Sequence, residues 1–476
     1  MTRHPRHRVV LYNPQAVFYT MPLALLAVGS HLDPERYEVV IVDARLERDP
    51  DAALRRALDG ALCLGVTVLT GGPIADAVRA SRLAKAFRPD LPVVWGGWHP
   101  SMFGRECLAE ASVDVTVAAQ GEITFHEIVD RLAAGEAVHD LDGCLGCAYR
   151  DADGAVRQNP PRPLAELGTL RPHDYRLVPV ESYYSLKGKR QLDYISSQGC
   201  AFRCAFCADP FVYNRKWVGL APTRMGEEIG ELWERYRFDD LSFQDETYFT
   251  YAPRVEAVAE EFLRRALPIT WAATMRADQG DRLSEEVLAT CRRSGLRRVL
   301  IGVESGSQEM MDRIKKDIKV EQVVRSAEKI RRHGVKGIFP FIVGFPGESD
   351  ASVRASLDLA KRLRSMSPEF ETPIFYFKPY PGSPLTDDAV RDGYVLPTDL
   401  DEWSRFDFIG SAGPWVSREK HRLVERFKFY QDLAAGSGRW RGPARRLARW
   451  RLAHDAYDWP VETLLGRWLR PQPQLS

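Results

Sequence analysis

The sequence predicts an α/β protein made of two successive strand–helix series, closed by a mainly helical carboxyl-terminal region. Three observations carry this. Five β-rich runs alternate with helix-like stretches across residues 1 to 135, and six more do so across residues 186 to 395. The strands are near-continuous apolar runs, the pattern of parallel sheets covered by helices on both faces. The last eighty or so residues, 396 to 476, lack such strands and read as helices.

In the first series the strands are "RVVLYN", "YEVVIVDA", "LCLGVTVL", "LPVVWGG" and "VDVTVAAQG". The helices are "PLALLAVGSHL", "PDAALRRALDG", "IADAVRASRLAKAF" and, after the fifth strand, "EITFHEIVDRLAAG". This is a doubly wound, Rossmann-like domain whose crevice lies beyond the strands' carboxyl ends. Residues 136 to 185, rich in Gly, Pro, Asp and Arg, read as a hairpin and linker. The second series runs through "RQLDYISSQG", "DDLSFQDE", "ITWAATMRAD", "LRRVLIGVESG", "KGIFPFIVGFPGE" and "PIFYFKPYPG". Six strands are too few for an eight-stranded barrel, so an open, partial (β/α)6 TIM-type barrel is expected, with its site at the strand carboxyl ends. In the final region six arginines fall between 439 and 451, interleaved with Trp440, Trp450, Trp459 and Trp468. That composition suits peripheral contact with a lipid surface, or tryptophans packed onto the barrel.

With 66 basic and 65 acidic residues the formal charge is +1, and nothing global points to nucleic acid. The apolar run near the start, Val9 to Tyr12, is too short for a signal-peptide core. No stretch approaches the ~18 apolar residues of a membrane span. A cytoplasmic, reducing location is expected, where clustered cysteines bind metal or do redox chemistry.

The cluster is "GCAFRCAFC", with Cys200, Cys204 and Cys207 in one loop at the end of the second series' first strand. Thiolates bind soft metals, and an iron–sulfur cluster normally takes four protein ligands. Three thiols leave one iron open to a small molecule, as catalytic zinc sites keep an open position. A zinc knuckle needs a fourth Cys or His, yet the next cysteine is Cys291 and the next histidine His333. A redox pair at Cys204 and Cys207 leaves Cys200 unexplained. Cys144 and Cys147 lack a second pair and read as buried strand thiols, as do the single Cys63 and Cys107.

This loop, with Phe206 before its last cysteine, resembles the signature of radical S-adenosylmethionine (SAM) enzymes over roughly residues 186 to 395. The resemblance implies a 4Fe-4S cluster whose open iron chelates SAM, and an electron that cleaves SAM to methionine and a 5'-deoxyadenosyl radical. It also implies SAM contacts for Phe206, for Asp245 and Glu246 in "FQDETYF", for Arg276 in "TMRAD", and for Glu304 and Ser305 in "GVESGS". Carboxylates suit the SAM amino group and a guanidinium its carboxylate.

The amino-terminal series resembles the cobalamin-binding domain that precedes many such modules. "VTVLTGGP", "WGGWHP" and "AAQGE" imply cobalamin contacts for Thr67, Thr70, Gly71, Gly72, Gly96, Gly97, Gln120, Gly121 and Glu122. No G-x-G-x-x-G follows the first strand, which disfavours a dinucleotide. The Asp-x-His-x-x-Gly motif that ligates cobalt is missing too: that loop reads "NPQAVFYTMP", and His99 looks like part of a turn. Together the modules imply a cobalamin-dependent radical SAM enzyme that methylates an unactivated carbon of a small-molecule or lipid substrate. Oxidative cyclisation or ring rearrangement is the alternative; a noncatalytic carrier leaves the SAM-type residues at successive strand ends unexplained. An external electron donor such as flavodoxin or ferredoxin is implied as partner.

Overall fold

The structure, a computed structural model, describes residues 6–406, 412–435 and 442–457. Its first sheet is built from β1 (His7–Asn13), β2 (Tyr37–Asp43), β3 (Ala61–Thr67), β4 (Val93–Gly96) and β5 (Val115–Val117). They lie in the order β2-β1-β3-β4-β5, all parallel. Five helices cover the two faces: α1 (Leu23–His31), α2 (Pro50–Leu58), α3 (Pro73–Phe87), α4 (Trp98–Cys107) and α5 (Glu122–Ala133). Strand order reverses between β1 and β3, so the crevice of this doubly wound sheet opens there. The hairpin β6 (Cys147–Arg150) and β7 (Val156–Gln158) adds two antiparallel strands at the far edge.

One helix was not legible. The stretch "WHPSMFGREC" folds as α4, but Pro100 sits in its first turn and the chain kinks at Phe103, so no regular apolar period announces it. A second, Val180–Lys187, lies in the segment expected to be linker.

The second unit is a partial barrel. It contains β8 (Gln191–Tyr194), β9 (Ser197–Gly199), β10 (Trp217–Gly219), β11 (Asp240–Phe243), β12 (Thr270–Arg276), β13 (Leu296–Gly302), β14 (Lys336–Ile338), β15 (Phe341–Val343), β16 (Phe370–Glu371) and β17 (Ile374–Tyr376). β8, β11, β12, β13, β14 and β16 are neighbours in that order and parallel. β15 and β17 continue β14 and β16 as a separate parallel pair. The interruptions fall at Pro340 and Pro373, which have no N–H to give the ladder. The six-strand expectation therefore corresponds to six strand paths, three of them broken, since the first run also divides into β8 and β9, and β9 pairs antiparallel with β10 outside the barrel sheet.

The carboxyl-terminal region is a strap across both units. Trp403 and Phe406 are buried in the core of the first sheet, beside Phe103 and His99. Further on, the Trp415 indole donates to the Gly344 carbonyl at 2.6 Å, and helix Arg418–Ala435 packs on the barrel, Gln431 donating to the Thr372 carbonyl at 3.1 Å. Trp450, on helix Gly442–Ala453, is 51% exposed and stacks on His454 instead of packing onto the barrel. Trp440, Trp459 and Trp468 lie outside the described residues. Among the described residues no helix is long and apolar enough to cross a membrane.

Candidate active site

Two adjoining cavities lie where the strand ends of the two units face each other. The first, about 440 Å³, sits over the crevice of the amino-terminal sheet. Of the residues the sequence assigned to cobalamin, Thr67, Gly96, Gly97, Gln120, Gly121 and Glu122 line it. A Cβ on Gly96 would meet only Val117, at 4.0 Å, so any side chain there would project into the cavity. Gly97 adopts φ 98°, and a Cβ would lie 3.0 Å from Thr67 Oγ1 and from the Val68 backbone. Thr70, Gly71 and Gly72 lie elsewhere: Thr70 faces the second cavity and contacts His99 Nδ1 at 3.3 Å. His99 does not line the first cavity; burial drops its imidazole pKa to about 4.

Gln120 and Glu122 also join the two units. Gln120 donates to Gln198 at 2.9 Å and Gln198 to Glu122 at 3.1 Å, so the β5–α5 loop is tied to β9 of the barrel. The β1–α1 loop crosses the same boundary. Its Phe18 carbonyl accepts from Arg45 at 2.7 Å, and its Met21 N–H donates to Asp193 of β8 at 2.8 Å. Arg45 pairs at 2.6 Å with Asp43, which also accepts from Tyr183. A buried charge network thus fixes this loop from both sides.

The second cavity, about 470 Å³, is mostly aromatic and apolar. Phe206, Cys207 and Asp209 of the cysteine loop face Glu304, Ile342, Phe375 and Phe377 of the barrel across it. Phe18, Leu69 and Trp98 line both cavities and form the wall between them.

The cysteine loop follows Gly199, whose φ is 85° and whose Cβ would lie 2.3 Å from the Lys216 carbonyl oxygen, so only glycine fits. The loop is pinned by the Ala205 N–H donating to the Ile314 carbonyl at 2.8 Å. Cys200 and Cys207 are half-buried and Cys204 buried. Burial pushes the Cys200 thiol up to about 11, and burial with Asp209 nearby pushes Cys207 up as well. Among the described residues no three His, Cys, Asp or Glu side chains converge as a single metal ion would require. A four-iron cube is larger, and its thiolates stand further apart.

The residues assigned to SAM fall in different surroundings. Phe206 and Glu304 line the second cavity. Glu246 lines the first, and its Oε2 is buried with no partner; burial and then Asp209 push its carboxyl up to about 8. Asp245 is turned inward, accepting from Ser196 Oγ at 2.7 Å and from Ser197. Ser305 faces Ser356 at 3.3 Å. Arg276 lies behind the cluster loop: it donates to Asp278 at 2.9 Å, to the Lys316 carbonyl at 2.7 Å and toward Cys204 Sγ at 3.6 Å. Its guanidinium also covers the Phe202 ring at 3.7 Å.

Lys316 escaped the sequence reading because "RIKKDIK" looks like a solvated charge run. In the fold Lys316 points inward and pairs with Glu304 at 2.7 Å, both side chains under a tenth exposed. Burial alone would lower the ammonium pKa, but Glu304 and Cys204 outweigh it and raise it. Glu304 itself has φ 66°, an uncommon conformation for a residue with a Cβ, of the kind that clusters at functional sites.

Comparisons with known proteins agree with this layout. The B12 binding domain family matches residues 11–129, and the Radical SAM superfamily matches residues 194–360. The chain therefore carries a B12-binding domain followed by a radical SAM domain; it is an enzyme, and its cofactors are those of the two domains: SAM with an iron–sulfur cluster, and cobalamin. It is 28% identical to an uncharacterised methyltransferase of Pyrococcus horikoshii, over 85% of this chain and 86% of that one. It is 25% identical to the cytidylyl-2-hydroxyethylphosphonate methyltransferase of Streptomyces wedmorensis, over 88% and 89%. The anaerobic magnesium-protoporphyrin IX monomethyl ester cyclase of Rubrivivax gelatinosus is 27% identical over 76% of this chain and 64% of its own. Among solved structures, the radical SAM methyltransferase TsrM of Kitasatospora setae, with tryptophan and a SAM analogue bound, superposes with a TM-score of 0.72 at 19% identity, covering 88% of each chain. The likeness shows a shared fold.

Proposed function

We propose that this enzyme transfers a methyl group to an unactivated carbon of a small, largely apolar or ring-bearing substrate. The observation that carries the reading is the shared wall of Phe18, Leu69 and Trp98. It puts a cavity over the cobalamin-type strand ends directly beside one bounded by the cysteine loop. Methyltransferase relatives that align over almost their whole length support methyl transfer over cyclisation.

The residues present fit the cofactors. Cys200, Cys204 and Cys207 would hold three irons of a 4Fe-4S cluster and leave the fourth to SAM. The raised thiols of Cys200 and Cys207 must lose protons when metal enters. Arg276, aimed at Cys204 Sγ, would set an N–H donor on that cluster ligand, a contact of the kind that tunes cluster potential. The glycine-lined cradle at Gly96 and the orphaned Glu246 Oε2 suit a large ligand with amide donors in the first cavity. Bound together, the cofactors supply a carbon radical and a methyl donor, chemistry the protein itself lacks. Glu304, held by Lys316, presents a carboxylate to hydroxyl or ammonium donors of SAM in the second cavity. Phe206, Phe375 and Phe377 exclude water from the reacting groups.

Anaerobic turnover of the reconstituted protein with SAM, a strong reductant and candidate acceptors tests this. Methyl transfer yields both 5'-deoxyadenosine and S-adenosylhomocysteine, each dependent on the three cysteines. 5'-Deoxyadenosine alone, with a cyclised or rearranged product, would replace methylation by the cyclase-type reaction.

A further inference from the structure

SAM cleavage of the kind proposed above takes one electron per event, and on that reading the cluster must receive it from outside. We infer that the surface over the cysteine loop is a docking site for an acidic one-electron carrier protein, held by Arg203, Arg215, Lys216 and Lys315. In the step served, the reduced flavin or iron–sulfur centre of the carrier loses one electron and the cluster gains it.

The loop lies just beneath the surface. Ala201 and Arg203 are exposed on either side of half-buried Phe202, while Cys204 next to them is buried. Phe202 stacks on Arg276, which reaches Cys204 Sγ, so a chain of contacts runs from the surface ring to the thiol. Two turns flank this spot. One carries Arg215 and Lys216 and is bound to the residue before Cys200, since β10 pairs Trp217 with Gly199. The other carries Lys315 and is bound to the loop through Ala205 and Ile314. Asn214, Arg215, Lys315 and Asp317 all adopt positive φ, which turns Lys315 outward while Lys316 faces the site.

Charge at this place departs from the rest of the chain. Arg203 is paired with Asp317 at 2.8 Å, and Arg215 lies near the same carboxylate. Arg215, Lys216 and Lys315 are exposed. Cations on the loop and on both turns thus gather about Asp317, while the other acid of the Lys315 turn, Asp312, is taken up by Lys319 at 3.6 Å. Complementary charge of this kind raises encounter rates and orients the partner.

The test follows cluster reduction by stopped-flow absorbance in the reconstituted full-length protein, using reduced flavodoxin or reduced methyl viologen, a small cation. Arg215→Glu/Lys216→Glu/Lys315→Glu should slow reduction by flavodoxin about tenfold or more at low salt, and the wild-type rate should fall as salt rises. Reduction by methyl viologen should not slow. At about 0.15 M salt, where exposed charges more than about 8 Å apart are largely screened, the same reversal on the last helix, Arg445→Glu/Arg446→Glu/Arg449→Glu, should change the flavodoxin rate by less than about twofold. A triple variant as fast as wild type at low salt overturns the docking site. So does loss of fluorescent tRNA binding in that variant at an unchanged flavodoxin rate, which would assign the patch to nucleic acid. A wild-type protein whose cluster is reduced but which then cleaves no SAM would instead remove the proposed chemistry on which the inference rests.

Discussion

Replacing Lys316 by methionine removes the ammonium group that pairs with Glu304 inside the barrel. The pair is 2.7 Å long and its side chains are 7% and 9% exposed, so water cannot take over the lost partner. Breaking a buried pair from one side typically costs about 3–5 kcal/mol, because an uncompensated charge stays behind. Replacing both residues, Glu304→Met with Lys316→Met, leaves no buried charge and should recover most of the loss. Methionine meets the same left-handed backbone as Glu304 did, so the strain there is unchanged between the compared proteins. Urea unfolding of the metal-free protein, with hydrogen exchange over residues 296–343 to locate the effect, measures the cycle. Losses that simply add in the double variant, or a single-variant loss below about 1 kcal/mol, would refute the reasoning.

Other consequences are equally direct. Gly199→Ala places a Cβ against the Lys216 carbonyl at 2.3 Å, which must part β9 from β10; iron content after reconstitution should fall several-fold, and unchanged iron would show that the turn can yield. Gly97→Val puts a β-branched residue at φ 98°, against the Val68 backbone, and should reduce bound cobalamin, read by its visible spectrum, while iron content is retained. The Glu246 carboxyl is raised above its unfolded value to about 8, so the folded protein holds a proton that the unfolded chain releases near pH 4 to 5. Stability should therefore decline as pH rises through that window toward 8, and Glu246→Gln should flatten the decline; an equal slope in both proteins would contradict the burial argument.

Much of this was legible in the sequence, for physical reasons that differ by region. The parallel strands are buried on both faces and announce themselves as apolar runs, so β1 to β5 and the six barrel paths were evident. Three thiols in one loop are too costly a coincidence to mistake, and Gly97 and Glu304 were singled out by their places at strand ends. What was hidden depends on partners far apart in the chain. Gln120 and Glu122 look like turn residues but bond to Gln198 across the boundary between the units. Lys315 and Lys316 are alike in sequence, and only the left-handed turn sends one out and the other in. Trp403 reads as part of a distal helix, yet it fills the core of the first sheet. Arg276 suits a carboxylate clamp by residue type, while its guanidinium is taken up by Asp278, the Lys316 carbonyl and Cys204.

On the function proposed above, Cys200, Cys204 and Cys207 carry a cluster with one iron left for SAM. The most direct test is electron paramagnetic resonance of the reconstituted, reduced protein with and without SAM, alongside metal analysis. About four irons per chain are expected, lost on replacing any of the three cysteines, with a signal that changes when SAM is added. A signal indifferent to SAM, or a chain that takes up one zinc in place of iron, would contradict it.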